Sequence, residues 1–299
     1  MDEDHPTDLA FVDVGRYERL SQARERGLVL SAMGVPHWIV RDKPDFVLRV
    51  EAVHQEKSAV ELEKYEIEAK QRPVVAEPVW EKLSTVSLYV AAWIMGSFWF
   101  LQNYRPAWME HGQAISARII HQGEWWRAFT ALTLHGDFSH FIANLMAGLL
   151  FAAFLVRLWG SGLAWLAIVL SGAAGNWLNA WFYRDQPHIS IGASTAVFGA
   201  LGLLVGGEFF IRLSSAHSRE RWQLILPLGA GLALLAFLGS GDEQNRTDLM
   251  AHFWGFTIGL FMGATVNALK RRVPRGIRRA AALAAPLLLL IAWWRALLG

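Results

Sequence analysis

No cysteine occurs in the 299 residues, which excludes disulfides, thiolate nucleophiles and cysteine-held zinc or iron–sulfur centres. Charge is also scarce. Asp, Glu, Lys and Arg make up 18% of the chain against 54% hydrophobic residues, and mean hydropathy is +0.26, too apolar for an ordinary soluble protein. A formal net charge of +2 gives no reason to expect a nucleic-acid partner. The opening Met1-Asp-Glu-Asp-His-Pro6 is acidic and lacks an apolar core of signal-peptide length, so a cleaved secretory signal is not expected. The ten histidines include no His-Glu-x-x-His helix, and carboxylates are nearly missing from the apolar runs. No metal and no cofactor are therefore expected.

What charge there is lies unevenly. Acids concentrate in roughly the first eighty residues, and apolar runs dominate from Leu83 onward. Residues 1–16 read as disordered and 17–72 as a small α+β cytoplasmic module. Within it, Tyr17–Gly34 predicts an amphipathic helix closing at Gly34. Two short strands, His37–Arg41 and Phe46–Val50, follow around Asp42-Lys-Pro-Asp45, and Ala52 to Lys70 predicts an exposed helix. Residues 73–82, with Pro73 and Pro78, form a linker.

Seven apolar stretches come next, at 85–102, 138–157, 161–182, 194–212, 222–240, 249–268 and 279–297. A hydrocarbon core of ~30 Å needs about 20 helical residues, and each stretch is near that length. One set of connecting loops carries Lys82, Arg157, Arg212, Arg219, Arg221 and the Lys270–Arg279 cluster. The other carries Arg105, Arg118, Arg127, Arg184, Arg246 and Arg295. The positive-inside rule then favours a cytoplasmic N-terminus. It also brings the second, fourth and sixth stretches in from the outer side, so that His140, Ser194 and His252 share one depth. Trp93, Trp99, Trp125, Trp126, Trp293 and Trp294 are expected as interfacial anchors.

Polar groups in hydrocarbon are costly. A lone Ser or His in such a helix is more often glue between helices than a catalyst; several at one depth suggest chemistry. His252 can serve as the base that a serine hydroxyl at 194 needs. His140 and Asn144, four residues apart, share a helix face from which N–H groups could hold an oxyanion beside the Ser194 amide. Gly192 permits an unusual backbone before the serine. Glycines 199, 202, 206 and 207, with Gly255 and Gly259, allow two spans to approach closely. Phe198, one turn beyond Ser194, is expected beneath the His252 imidazole. His135 is expected to fix its loop by hydrogen bonds, His111 and His121 to be solvated, and Asp137 and Asp248 to cap spans.

These motifs resemble the rhomboid family of intramembrane serine proteases over residues 80–270. They run in the family's order: Trp126-Arg127, His135, His140-x-x-x-Asn144, Gly160-Ser-Gly162, Gly192-x-Ser194 and Ala251-His252-x-x-Gly255. The resemblance implies an all-α polytopic fold, with a six-helix core at 83–270 and a basic loop and seventh helix at 271–299, after the small α+β module. It implies Ser194 as nucleophile and His252 as base, a dyad without an acidic third member. His140 and Asn144 would stabilise the oxyanion, with Gly192, Phe198 and Gly255 in support. It further implies cleavage of helix-destabilised transmembrane segments of other proteins near their outer ends, in the lipid bilayer and in a bacterial inner membrane. The sequence leaves the oligomeric state open. Two features depart from the family pattern. Thr195 stands where the serine motif usually ends in Gly, which would alter rate or substrate choice. Val156 and Arg157 stand where an acid often pairs with the arginine at 127, so that pair would be missing. The alternatives are an inactive rhomboid-like protein that binds membrane helices, favoured by Thr195, and a small-solute transporter, disfavoured by the absence of repeats.

Overall fold

The computed structural model describes residues 10–71, 80–214, 226, 228–234, 236 and 248–298. The chain divides into two compact units, Met1–Val75 and Ala76–Gly299.

In the first unit, β1 (Phe11–Tyr17), β2 (His37–Asp42) and β3 (Asp45–Glu51) form an antiparallel sheet in the order β1-β3-β2. Helices α1 (Leu20–Ala32) and α2 (Gln55–Gln71) pack on it. Residues 11–16, expected to be disordered, form most of β1 instead. Val12, Val14 and Tyr17 join the cluster around Leu48 and Val50, and a register shift between Asp13 and Gly15 interrupts the alternation that would have announced a strand. Helix α1 ends before Gly34, whose φ of 69° suits a residue without a Cβ. Leu30, Leu48 and Val50 are fully buried, with Val35 and Leu62 around them. Arg26 joins the two helices through Glu66 at 2.8 Å, a hydrogen bond that holds the Glu66 carboxyl below the usual carboxylate range.

The second unit is helical. Six helices among the described residues are long and apolar enough to cross a membrane: α3 (Thr85–Tyr104), α7 (Phe138–Trp159), α8 (Ser161–Phe182), α9 (Ser194–Ser214), α10 (Leu249–Leu269) and α11 (Arg275–Leu298). Between α3 and α7 the chain folds into the short helices α4 (Ala107–Gly112), α5 (Ser116–His121) and α6 (Arg127–Thr130). There β4 (Ala114–Ile115) pairs with β5 (Ile189–Ser190) of the α8–α9 loop. The linker core at 72–79 lies outside the described residues. So does most of the expected span at 222–240, although residues 228–234 are helical and Leu228 packs against Phe198 and Phe256.

Helix α9 packs against α7, α8 and α10. Its seam with α10 is made by backbone. A Cβ on Gly202 would strike the carbonyl oxygen of Phe256, one on Gly206 that of Leu260, and one on Gly259 that of Gly199. Lipid supplies no hydrophobic drive between helices, so close backbone approach takes its place. Gly207 is different: its nearest neighbour is a Trp159 ring atom at 3.4 Å, an ordinary contact. Asp137 caps α7 by accepting from the His140 amide at 2.8 Å, and Asp248 caps α10 by accepting from the Ala251 amide at 3.1 Å.

Candidate active site

Ser194, His140 and His252 all lie in the first turn of a spanning helix, those of α9, α7 and α10 respectively. The approach to Ser194 is held rigidly. The Gly192 amide donates to the Ala131 carbonyl at 2.9 Å, and the Ala193 amide to His135 Nε2 at 3.4 Å. Burial, reinforced by neighbouring His140, pushes His135 down to about 3. The ring is therefore neutral, as an acceptor must be. Its own backbone is clamped from α3 by Gln102, which donates to the His135 carbonyl at 2.6 Å and accepts from its amide at 2.9 Å. His135 thus fixes the loop before the serine.

Gly192 adopts φ 127°, a region L side chains avoid. A Cβ there would also lie 2.8 Å from His140 Cε1, 2.9 Å from its Nε2 and 3.4 Å from Ser194 Oγ. The His140 imidazole, the Gly192 backbone and the serine hydroxyl therefore converge on one point. Asn144 is buried one turn below His140 and donates to the His140 carbonyl at 2.9 Å, which leaves a second amide hydrogen for another acceptor.

His252 is only 4% exposed. Its ring packs on Phe198, with centroids 4.3 Å apart and planes 30° from parallel. Its Nδ1 is buried without a hydrogen-bond partner among the described residues. Gly255, one turn on, abuts the Thr195 carbonyl. The contacts bring His140, Gly192 and Ser194 to one point, set Asn144 beneath His140 and Phe198 against His252, and place Gly255 on Thr195; no hydrogen bond joins Ser194 to His252 among the described residues. Chemically, the site combines a hydroxyl, two imidazoles and a carboxamide, with the free amides that every helix N-terminus offers.

Thr195 is 2% exposed. Its Cγ2 lies 2.8 Å from where a Gly175 Cβ would be and 3.1 Å from where a Gly255 Cβ would be. The extra bulk goes into the seam of α8, α9 and α10, where two glycines make room for it. Arg127, left without the expected acid near Val156, pairs with Glu124 in its own loop and donates to the Glu110 and Gln113 carbonyls at 2.9 Å.

Two of the expected interfacial tryptophans are buried instead. Trp293 stacks with Phe98 and Trp108, and its Nε1 donates to Thr133 Oγ1 at 3.0 Å. Trp126 lies beneath the Arg295 guanidinium. Both serve the seam between α11 and the outer loop. Trp93, Trp125 and Trp294 remain exposed.

Sequence reasoning missed a second polar knot. Asp248 Oδ2 accepts from Asn179 Nδ2 at 2.7 Å and meets His188 Nε2 at 2.8 Å, while the His188 ring stacks on Tyr183. Burial alone would raise the Asp248 carboxyl. Hydrogen bonds from His188 and the Ala251 amide outweigh it and hold the group below the usual carboxylate range. The one advance signal was a polar pair, Asn176 and Asn179, inside an otherwise apolar span. Asn176 donates to the Ala128 carbonyl at 3.0 Å.

Comparison with known proteins gives the same direction. The Rhomboid domain family matches residues 122–268. The chain is 30% identical over 143 residues to "Putative rhomboid protease YdcA" of Bacillus subtilis (strain 168), an alignment that covers 48% of this chain and 68% of that protein. It is 28% identical over 153 residues to "RHOMBOID-like protein 5" of Arabidopsis thaliana, covering 50% and 47%. To "Rhomboid protease GluP" of the same bacillus it is 30% identical over 151 residues, covering 50% and 27%. With its polytopic helical fold and multi-pass membrane architecture, the chain belongs to the rhomboid family.

Proposed function

We propose that this protein is an intramembrane serine endopeptidase in which Ser194 is the nucleophile and His252 its base. One observation carries the reading: the hydroxyl of Ser194, the His140 ring and the Gly192 backbone meet at one point, while His252 is held over Phe198, one turn along from the serine. Relatives named as rhomboid proteases support proteolysis as the general activity.

Ser194 Oγ attacks a peptide carbonyl while His252 takes its proton. The oxyanion that forms is met by His140, by the free hydrogen of the Asn144 amide and by the Ser194 amide. Loss of one such donor typically costs about 3–4 kcal/mol of transition-state stabilisation. His252 returns the proton to the leaving amine, giving an acyl-enzyme. Water then enters from the outer side and hydrolyses the ester by the same relay. Helices hide their carbonyls in backbone hydrogen bonds, so the substrates are membrane-protein spans weakened by Gly, Pro or other helix-poor residues near their outer ends. The basic Lys270–Arg279 segment favours a cytoplasmic N-terminus, as in a bacterial inner membrane. The Thr195 methyl packs toward Gly175 and Gly255 in the helix seam, which favours an active enzyme over a binding relative.

Co-expression with a panel of tagged single-span proteins tests this. Wild type yields fragments cut near the outer end of the span, and Ser194→Ala yields none. Fragments that persist in Ser194→Ala would overturn the assignment.

A further inference from the structure

A helix cap needs one carboxylate oxygen, and Asp248 has both engaged. Oδ1 accepts from the Ala251 amide at 3.1 Å and completes the cap of α10. Oδ2 accepts from Asn179 Nδ2 at 2.7 Å and meets His188 Nε2 at 2.8 Å. These surplus donors come from α8 and from the α8–α9 loop. That loop is anchored in turn, since the Ser116 amide donates to the His188 carbonyl at 3.1 Å and β5 pairs with β4. Ser190 stands four residues before Ser194, and Asp248 four before His252. No hydrogen bond joins the carboxylate to the His252 ring, whose Nδ1 has no partner among the described residues.

We propose that Asp248 is a positioning residue: its carboxylate ties the strand that leads to Ser194 to the helix start that leads to His252, and so sets the spacing of the dyad without touching it. His188 and Asn179 are its partners, and the inference rests on the protease reading above. With the carboxylate ionised, His188 Nε2 carries the hydrogen and donates it to Asp248. An amide at 248 still caps the helix, but it sets its own N–H donors against those of Asn179 or His188.

The test uses the full chain in detergent, with a transmembrane peptide substrate and a fluorophosphonate probe. The variants are Asp248→Asn, His188→Ala, which leaves the cap untouched, and their combination. Asp248→Asn is expected to melt with wild type yet lose about tenfold in kcat at unchanged KM, with acylation by the probe slowed by the same factor. His188→Ala behaves alike, and the combination is no worse than either single change, because both break one tie. Wild-type kcat in both single variants, a loss that merely follows the folded fraction, or losses that multiply in the combination would each overturn the proposal. A wild type that the probe does not acylate would instead overturn the protease reading on which it rests.

Discussion

Leu30, Leu48 and Val50 meet in the N-terminal unit as large aliphatic side chains sealed from water, ringed by ion pairs such as Arg49–Asp13 at 2.7 Å. The membrane unit joins its innermost helices in the opposite way, since α9 and α10 meet through Gly202, Gly206 and Gly259, backbone against backbone. The first arrangement uses the release of water from apolar surface. The second has no such term, because lipid tails are as apolar as leucine, and it relies on close packing and buried hydrogen bonds. The difference bears on function. A site spread over the first turns of three helices needs those helices fixed to a fraction of an ångström. Backbone contact leaves less play than flexible side chains do.

The largest expected effects set the two regions against each other. Gly259→Leu drives a side chain into the Gly199 carbonyl and should cost more than about 3 kcal/mol, with loss of folded, probe-reactive protein. Leu48→Ala should cost about 2–5 kcal/mol, with the loss of hydrogen-exchange protection confined to β1–β3, α1 and α2. Tolerance of leucine at 259 would break the comparison. A smaller effect sharpens it. Trp293→Phe keeps the stacking on Phe98 but removes the hydrogen bond to Thr133, and should lower thermal stability by about 0.6–1.7 kcal/mol. A loss as large as that of Gly259→Leu would mean that the α11 seam, and not the glycine seam, holds the unit together.

The spans were legible because length and apolarity suffice to mark them, and five of the seven stretches begin within a residue of the helices observed. The seventh helix begins four residues earlier than its apolar run, at Arg275, since its first turn is basic and exposed. That His140, Ser194 and His252 stand at the starts of alternate apolar stretches was legible in the sequence, and the first turns of α7, α9 and α10 carry them. Strand β1 was hidden by its bulge and by the acidic segment before it. The burial of Trp126 and Trp293 was hidden because an interfacial tryptophan and one locked in a seam look alike until the partner helix is placed. The Asp248 knot draws on residues 179, 188 and 248, separated by as many as 69 positions, a grouping that no local spacing encodes. Thr195 stood out as a departure from the family's pattern. Its compensation, Gly175 on a neighbouring helix, becomes visible only in three dimensions.

The most direct measurement is to map where a fluorophosphonate attaches to the purified full-length protein, by peptide mass spectrometry, in wild type, Ser194→Ala and His252→Ala. The account predicts a single adduct on the peptide containing Ser194, lost in Ser194→Ala and reduced to background in His252→Ala. An adduct at another serine, or undiminished attachment at Ser194 when His252 is alanine, would contradict it.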